Sequence, residues 1–161
     1  MAIEKRSLRD VFGTFVTGVT VITTIDLNGK IHGCTANSFS SVSLEPPLVL
    51  WSQAKAARSY DAFADGPRFA VNILSEAQRE VSDRFASDAN EKFSGVEWSP
   101  GTGGVPILKG VCAHIECRKV ANYPGGDHTI FLGEVEAVFK SGLPPLVFAA
   151  GRYLMATPLS L

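Results

Sequence analysis

An excess of charge of either sign is missing from this sequence. Its 161 residues carry 15 Lys and Arg against 16 Asp and Glu, a net charge of −1, and the two signs are mixed along the chain. No long-range field exists to hold a polyanion, so nucleic acid is not an expected partner. Long apolar runs are also missing. The start, Met1-Ala2-Ile3-Glu4-Lys5-Arg6, has no apolar signal region, and no later run could span a bilayer. A cytoplasmic protein with no membrane partner is expected. Cysteine is scarce: Cys34, Cys112 and Cys117 are an odd number at spacings that match no zinc pattern. We read all three as reduced, mostly buried thiols and expect no metal. The three histidines, His32, His114 and His128, do not suggest a nucleophile held by a base and a carboxylate. Asp127 precedes His128, and on a strand adjacent side chains point apart, so hydrolysis is not expected. Gly101-Thr102-Gly103-Gly104 lacks the third glycine of a dinucleotide fingerprint and lies between Pro100 and Pro106. Any nicotinamide cofactor must be held by some other geometry. No internal repeat, linker or low-complexity tract is present.

What is there fits one domain over residues 1–161, with 45% hydrophobic residues to fill its core. Leu8, Val11, Phe12 and Phe15 recur at helical spacing within Ser7 to Thr17, which predicts a helix whose apolar face packs. Val19 to Ile25 is β-branched throughout, and Asp26-Leu27-Asn28-Gly29 turns it into a partner strand from Lys30. Leu48 to Ser52 reads as a buried strand, followed by a short helix from Tyr60 to about Ala64. Arg68 to Leu74 alternates, and Ser75-Glu76-Ala77-Gln78 is a capping box for a helix to about Ala86. On that helix Glu76 with Arg79, and Glu80 with Arg84, stand at surface-pair spacings. Val111 to Asn122 and His128 to Lys140 are two long strands joined by the loop Tyr123 to Asp127. The apolar phase of the second slips near Gly133, which predicts a bulge. Leu146 to Ala150 is a last strand. Short helices among many strands indicate a closed or partly closed antiparallel barrel.

The stretch from His32 to Pro47 sets hydroxyls, a carboxamide and small residues between two strands. Small residues let a ligand approach the backbone, and short polar side chains offer hydrogen bonds without charge. That surface suits a flat heterocycle with polar edges; a Ser/Thr-rich turn between strands is the plain alternative. Further on, Ser52, Lys55, Arg58 and Ser59 lie where a strand end feeds a helix start, a place suited to a phosphate. A solvated helix entry with Ser59 as N-cap is the competing reading.

The run Gly33 to Pro47, followed by Gly126-Asp127-His128-Thr129-Ile130-Phe131-Leu132-Gly133-Glu134-Val135, resembles the flavin reductase family of two-component flavin-dependent monooxygenases. The resemblance extends from Phe12 to Tyr153. It implies a mainly β fold, the FMN-binding split β-barrel, a Greek-key antiparallel barrel with a few flanking helices. It also implies an NAD(P)H:flavin oxidoreductase that reduces FMN or FAD and supplies a separate monooxygenase, and a homodimer with flavin near the interface. By the same resemblance, Thr35, Ala36, Asn37 and Ser38 contact the flavin with help from Ser41, Val42 and Ser43. The phosphate-contacting segment falls on Ser52 to Ser59, His128 lies by the nicotinamide of NADH or NADPH, and Phe93 and Tyr153 lie near the pocket. Hydride transfer between two cofactors asks the protein to hold them face to face, so no catalytic side chain is expected. Ala149-Ala150 precede Gly151-Arg152-Tyr153 where many relatives have a larger or polar residue, which leaves flavin and substrate preference open. A non-catalytic flavin- or haem-binding module, or a split-barrel enzyme with tightly bound flavin acting on another small substrate such as a corrinoid, would share the barrel.

Overall fold

The computed structural model describes residues 2–160; Met1, at the head of the expected leader-free start, and Leu161, the last residue of the expected domain, lie outside them. The N-terminal helix α1 (Lys5–Gly13) is shorter than expected and ends as Thr14 Oγ1 donates to the Val11 carbonyl at 2.7 Å. Beyond it Phe15, Val16 and Thr17 lead into the short strand β1 (Thr17–Gly18), where bulky and β-branched side chains favour extended backbone. The apolar face does not pack within one chain. Val11, Phe12 and Phe15 are 65%, 69% and 79% exposed, which corrects the expected packing role.

The main body is one antiparallel sheet built from β2 (Thr20–Ile25), β3 (Ile31–Ala36), β4 (Ser40–Leu44), β5 (Pro47–Ala54), β6 (Arg68–Ile73), β9 (Ala113–Gly125) and β10 (His128–Lys140). The numbers between belong to β7 (Trp98–Pro100) and β8 (Pro106–Leu108), which form a small hairpin. In the main sheet the order is β3-β2-β6-β9-β10-β5-β4. Its two outermost strands, β3 and β4, follow each other in the chain with only Asn37, Ser38 and Phe39 between them. That short link curls the sheet until its edges meet, which is the expected split barrel: mainly β, antiparallel, with few helices. Two further strands, β11 (Leu146–Ala149) and β12 (Arg152–Met155), pair with each other and with β1.

Alternation drives the interior. Along β5, Val49, Trp51 and Gln53 point inward, and Trp51 meets Phe63 edge-on with ring centroids 4.8 Å apart. Ile22, Phe69, Val71, Phe131 and Cys117 complete that cluster; burying each large side chain is worth about 1.5 to 3 kcal/mol. The bulge expected near Gly133 lies between Leu132 and Gly133. A Cβ there would come within 2.5 Å of the Phe69 ring, so glycine lets the ring lie against the strand. A second bulge between Val135 and Ala137 frees Glu136 to accept both Arg68 Nε and Nη2, at 2.9 and 3.1 Å.

The expected loop Tyr123 to Asp127 contracts to the turn Gly126-Asp127, because β9 continues to Gly125 and pairs with His128. Gly126 takes a positive φ of 71°, which suits glycine in a tight hairpin turn. The capping box at Ser75 forms and opens a 3₁₀ turn, Glu76–Gln78, ahead of α3 (Arg79–Ala86). The surface pairs differ from those expected: Arg79 pairs with Asp83 at 3.8 Å, and Arg84 donates to the Ser94 carbonyl. The other helix, α2 (Tyr60–Asp65), has six residues.

Candidate functional site

The link that closes the barrel also builds the site. A cavity of about 360 Å³ opens where β3 and its following bend, the end of β5, the turn before α2 and the end of α3 converge. Thr35, Ala36, Asn37, Ser38, Ser52, Arg58, Ser59 and His128, all nominated from the sequence, line it together. Ala54, Ala57 and Ala86 keep other parts of its wall small.

Hydrogen bonding divides these residues by role. Thr35 Oγ1 donates to the Ser82 carbonyl at 2.7 Å, tying β3 to α3. Ser38 Oγ donates to the Ser52 carbonyl at 2.8 Å and accepts from the Ser52 N–H at 3.1 Å. Both hydroxyls are therefore committed to the scaffold. The Asn37 carboxamide, at the exposed bend after β3, remains available to a ligand edge. Ser59 does not cap α2; its hydroxyl accepts from Gln53 Nε2 at 3.0 Å and keeps its own proton for a ligand. Arg58 uses two of its five N–H donors on the Asp88 carbonyl and Asn90 Oδ1, at 2.6 and 2.9 Å, leaving the rest for an anion. Small walls, a carboxamide, hydroxyls and a guanidinium fit a flat polar-edged ring with an anionic tail.

Other nominated residues stand elsewhere. Lys55 lies outside the lining: its Nζ donates to the Gly126 carbonyl at 2.9 Å, and its N–H to the Asp127 carbonyl at 2.9 Å. It thereby pins the turn that carries His128. Ser41, Val42 and Ser43 sit on the edge strand β4, outside the cavity wall. Phe93 packs edge-to-face on Phe85 at 4.9 Å and lines an adjoining groove. Tyr153 lines a smaller recess with Thr35, Ala36 and Asn37, its hydroxyl 2.8 Å from Ser82 Oγ and 2.7 Å from Asp83 Oδ1.

Asp127 and His128 are not splayed apart, which corrects the expectation from strand geometry. Asp127 belongs to the turn, and its Oδ1 lies 2.7 Å from His128 Nδ1. The contact holds the Asp127 carboxyl below the usual carboxylate range. It also fixes Nδ1–H towards the carboxylate and leaves Nε2 as the free ring nitrogen.

Several lining residues gave no local signal. Phe85, Ser87, Asp88 and Lys92 come from α3 and the loop after it, a wall assembled by long-range packing. Cys34 and Gln53 also line the cavity. Burial pushes the Cys34 thiol up to about 12 against the opposing pull of Lys92, so it stays protonated and offers no nucleophile. Cys117 is likewise pushed up to about 12 by burial, and all three cysteines are free thiols. Among the described residues no cluster of His, Cys, Asp or Glu could hold a metal, and no helix is long and apolar enough to cross a membrane.

Comparison with known proteins places this architecture. The chain is 46% identical over 150 residues to the stachydrine N-demethylase reductase subunit of Rhizobium meliloti, covering 93% of this chain and 65% of that protein. It is 44% identical over 151 residues to an FMN reductase (NADH) of Agrobacterium fabrum, covering 93% and 85%. The solved NADH:FAD oxidoreductase of Streptomyces globisporus, in complex with NAD and FAD fragments, superposes with a TM-score of 0.91 at 40% identity over 98% of both chains. The chain spans 48% of the length of another Rhizobium meliloti relative. Residues 12–156 match the model of the flavin reductase like domain, so the chain belongs to that family.

Proposed function

We propose that this chain is an NAD(P)H:flavin oxidoreductase that reduces FMN or FAD and releases it to a separate flavin-dependent monooxygenase. The observation that carries the reading is the cavity itself. It has small walls, uncommitted hydrogen-bonding groups at Asn37 and Ser59, a guanidinium at one side and an imidazole at its rim, but no activated nucleophile. A bound flavin would supply the hydride-accepting ring. The chain's own residues need only bind, orient and keep two partners face to face. Related proteins named as an FMN reductase (NADH), as an NADH:FAD oxidoreductase and as monooxygenase reductase components support the assignment.

In this reading Asn37 and Ser52 meet the ring edge, and Arg58 and Ser59 meet the phosphate. Thr35, Ala36 and Ser38 shape the wall. His128 faces the nicotinamide carboxamide through Nε2, while Asp127 and Lys55 hold the turn beneath it. Phe93 and Tyr153 shape the margins, and Ser41, Val42 and Ser43 border the site from the edge strand. Residues 1–161 act together as one flavin reductase-like domain, in the cytoplasm and as a homodimer. Support for the dimer comes from the bare face of α1 and the segment after it: Phe12 and Phe15 line a recess with Phe148 that reaches Asn37. Purified protein should oxidise NADH or NADPH at a rate that rises with free flavin. Flavin binding without nucleotide oxidation would leave only a binding module.

A further inference from the structure

Buried polar atoms without partners gather around the cavity. Among the described residues three side-chain atoms are buried and make no hydrogen bond: Thr17 Oγ1, Trp51 Nε1 and Gln53 Oε1. Trp51 and Gln53 stand two residues apart on the inward face of β5, and both line the cavity. Thr17 lines the recess that shares Asn37 with it. A buried polar group with no bond costs stability, so such atoms are rare in folded chains and each calls for a partner. Three in one neighbourhood point to a ligand that brings the bonds with it.

Gln53 says most about that ligand. Its side chain is 5% exposed and held at one end, where Nε2 donates to Ser59 Oγ at 3.0 Å and to Cys34 Sγ at 3.6 Å. Both amide protons are thereby spent, and the lone pairs of Oε1 are unused. The partner it needs is a donor. The terminal torsion of glutamine is broad, so a slight turn about it aims Oε1 at a donor in the cavity. Position says which donor. In the reductase reading, on which this inference rests, its chain neighbour Ser52 meets the ring edge and its hydrogen-bond partner Ser59 meets the phosphate. Between ring and phosphate in FMN and FAD runs the ribityl chain, whose hydroxyls donate without carrying charge into a buried site. Phosphate oxygens match Oε1 poorly, because both accept. We propose that Gln53 Oε1 accepts a hydrogen bond from a ribityl hydroxyl, so that Gln53 distinguishes a flavin with its sugar-alcohol chain from the bare ring system.

Calorimetric titration of the full chain with lumiflavin, riboflavin and FMN tests this, since lumiflavin has a methyl group in place of the ribityl chain. Wild-type protein should bind riboflavin roughly 5-fold or more tightly than lumiflavin. Gln53→Met, close to glutamine in length and shape, should raise the riboflavin and FMN Kd together, roughly 2- to 10-fold, and move the lumiflavin Kd by less than about twofold. Retained lumiflavin binding reports an intact pocket. An equal loss for lumiflavin would put Gln53 on the ring or in the scaffold and overturn the assignment. A loss confined to FMN would have it act through Ser59 on the phosphate, and overturns it as well. If Gln53→Met does not fold, the wild-type ratio decides: riboflavin bound no more tightly than lumiflavin overturns the ribityl contact. Each of these results leaves the reductase reading standing. If wild-type protein binds none of the three flavins, that reading falls and the ribityl contact with it.

Discussion

Ser38 Oγ lies between both main-chain groups of Ser52, donating to its carbonyl oxygen at 2.8 Å and accepting from its N–H at 3.1 Å. This one side chain fastens the link between the two sheet edges to β5 and fixes the mouth of the cavity. Asn37, next to it, has its carboxamide free.

The two neighbours should therefore respond differently to truncation. Ser38→Ala leaves two part-buried main-chain groups without a partner and should cost about 1 to 2 kcal/mol, lowering Tm by about 2 to 8 °C. Asn37→Ala should leave Tm unchanged and raise the flavin Kd about 2- to 10-fold, the worth of one hydrogen bond. Thermal melts with flavin titrations separate them, and a large Tm loss in Asn37→Ala would contradict the division of roles.

Arg58 and Lys55 lie three residues apart in the chain but serve different ends of the site. Arg58→Ala should weaken FMN more than riboflavin, which has no phosphate, and the difference should shrink with salt. Lys55→Ala should affect FMN and riboflavin alike and only slightly, while raising the KM for NADH through a loosened Gly126-Asp127 turn. A phosphate-selective loss in Lys55→Ala would return that lysine to the phosphate.

His128→Ala should raise the KM for NADH, or lower kcat, about 2- to 10-fold while flavin affinity stays nearly constant, since one positioning hydrogen bond is lost. Asp127→Ala should go the same way by a smaller factor, because its carboxylate orients the ring from an exposed turn. The His128 hydrogen bond lowers the Asp127 pKa, so this contribution is present above the ordinary carboxylate pKa and is lost as pH falls through the lowered value. Above the ordinary carboxylate range the Asp127 carboxyl itself adds no further pH dependence to the Asp127→Ala effect. Steady-state kinetics over a pH series read this directly, and loss of flavin binding in either variant would place His128 in the flavin site.

Period-two alternation, β-branched runs and turn chemistry made most strands, the Gly133 bulge and the Ser75 capping box legible from sequence. The cavity's inner wall was partly legible, because Asn37 to Ser38 and Ser52 to Ser59 are contiguous in the chain. Its outer wall was not, since Phe85 and Lys92 reach the cavity only by packing of α3 on β3. Lys55 shows a limit of reasoning from charge: a lysine beside a strand end satisfies a phosphate or a turn carbonyl equally well, and only the fold brings Gly126 within 2.9 Å. The Asp127–His128 contact was hidden because the hairpin turn is tighter than its five-residue glycine-rich sequence suggested. The α1 face was read correctly as apolar, yet periodicity does not say whether its partner lies within the chain.

The most direct test of the account is an anaerobic reaction with NADH and FAD in large excess over a small amount of protein, followed by the loss of the flavin's visible absorbance. The account predicts that free FAD is reduced to many times the protein concentration, at a rate proportional to protein. Reduction that stops at one flavin per chain would show a resident cofactor serving another substrate and contradict release to a partner oxygenase.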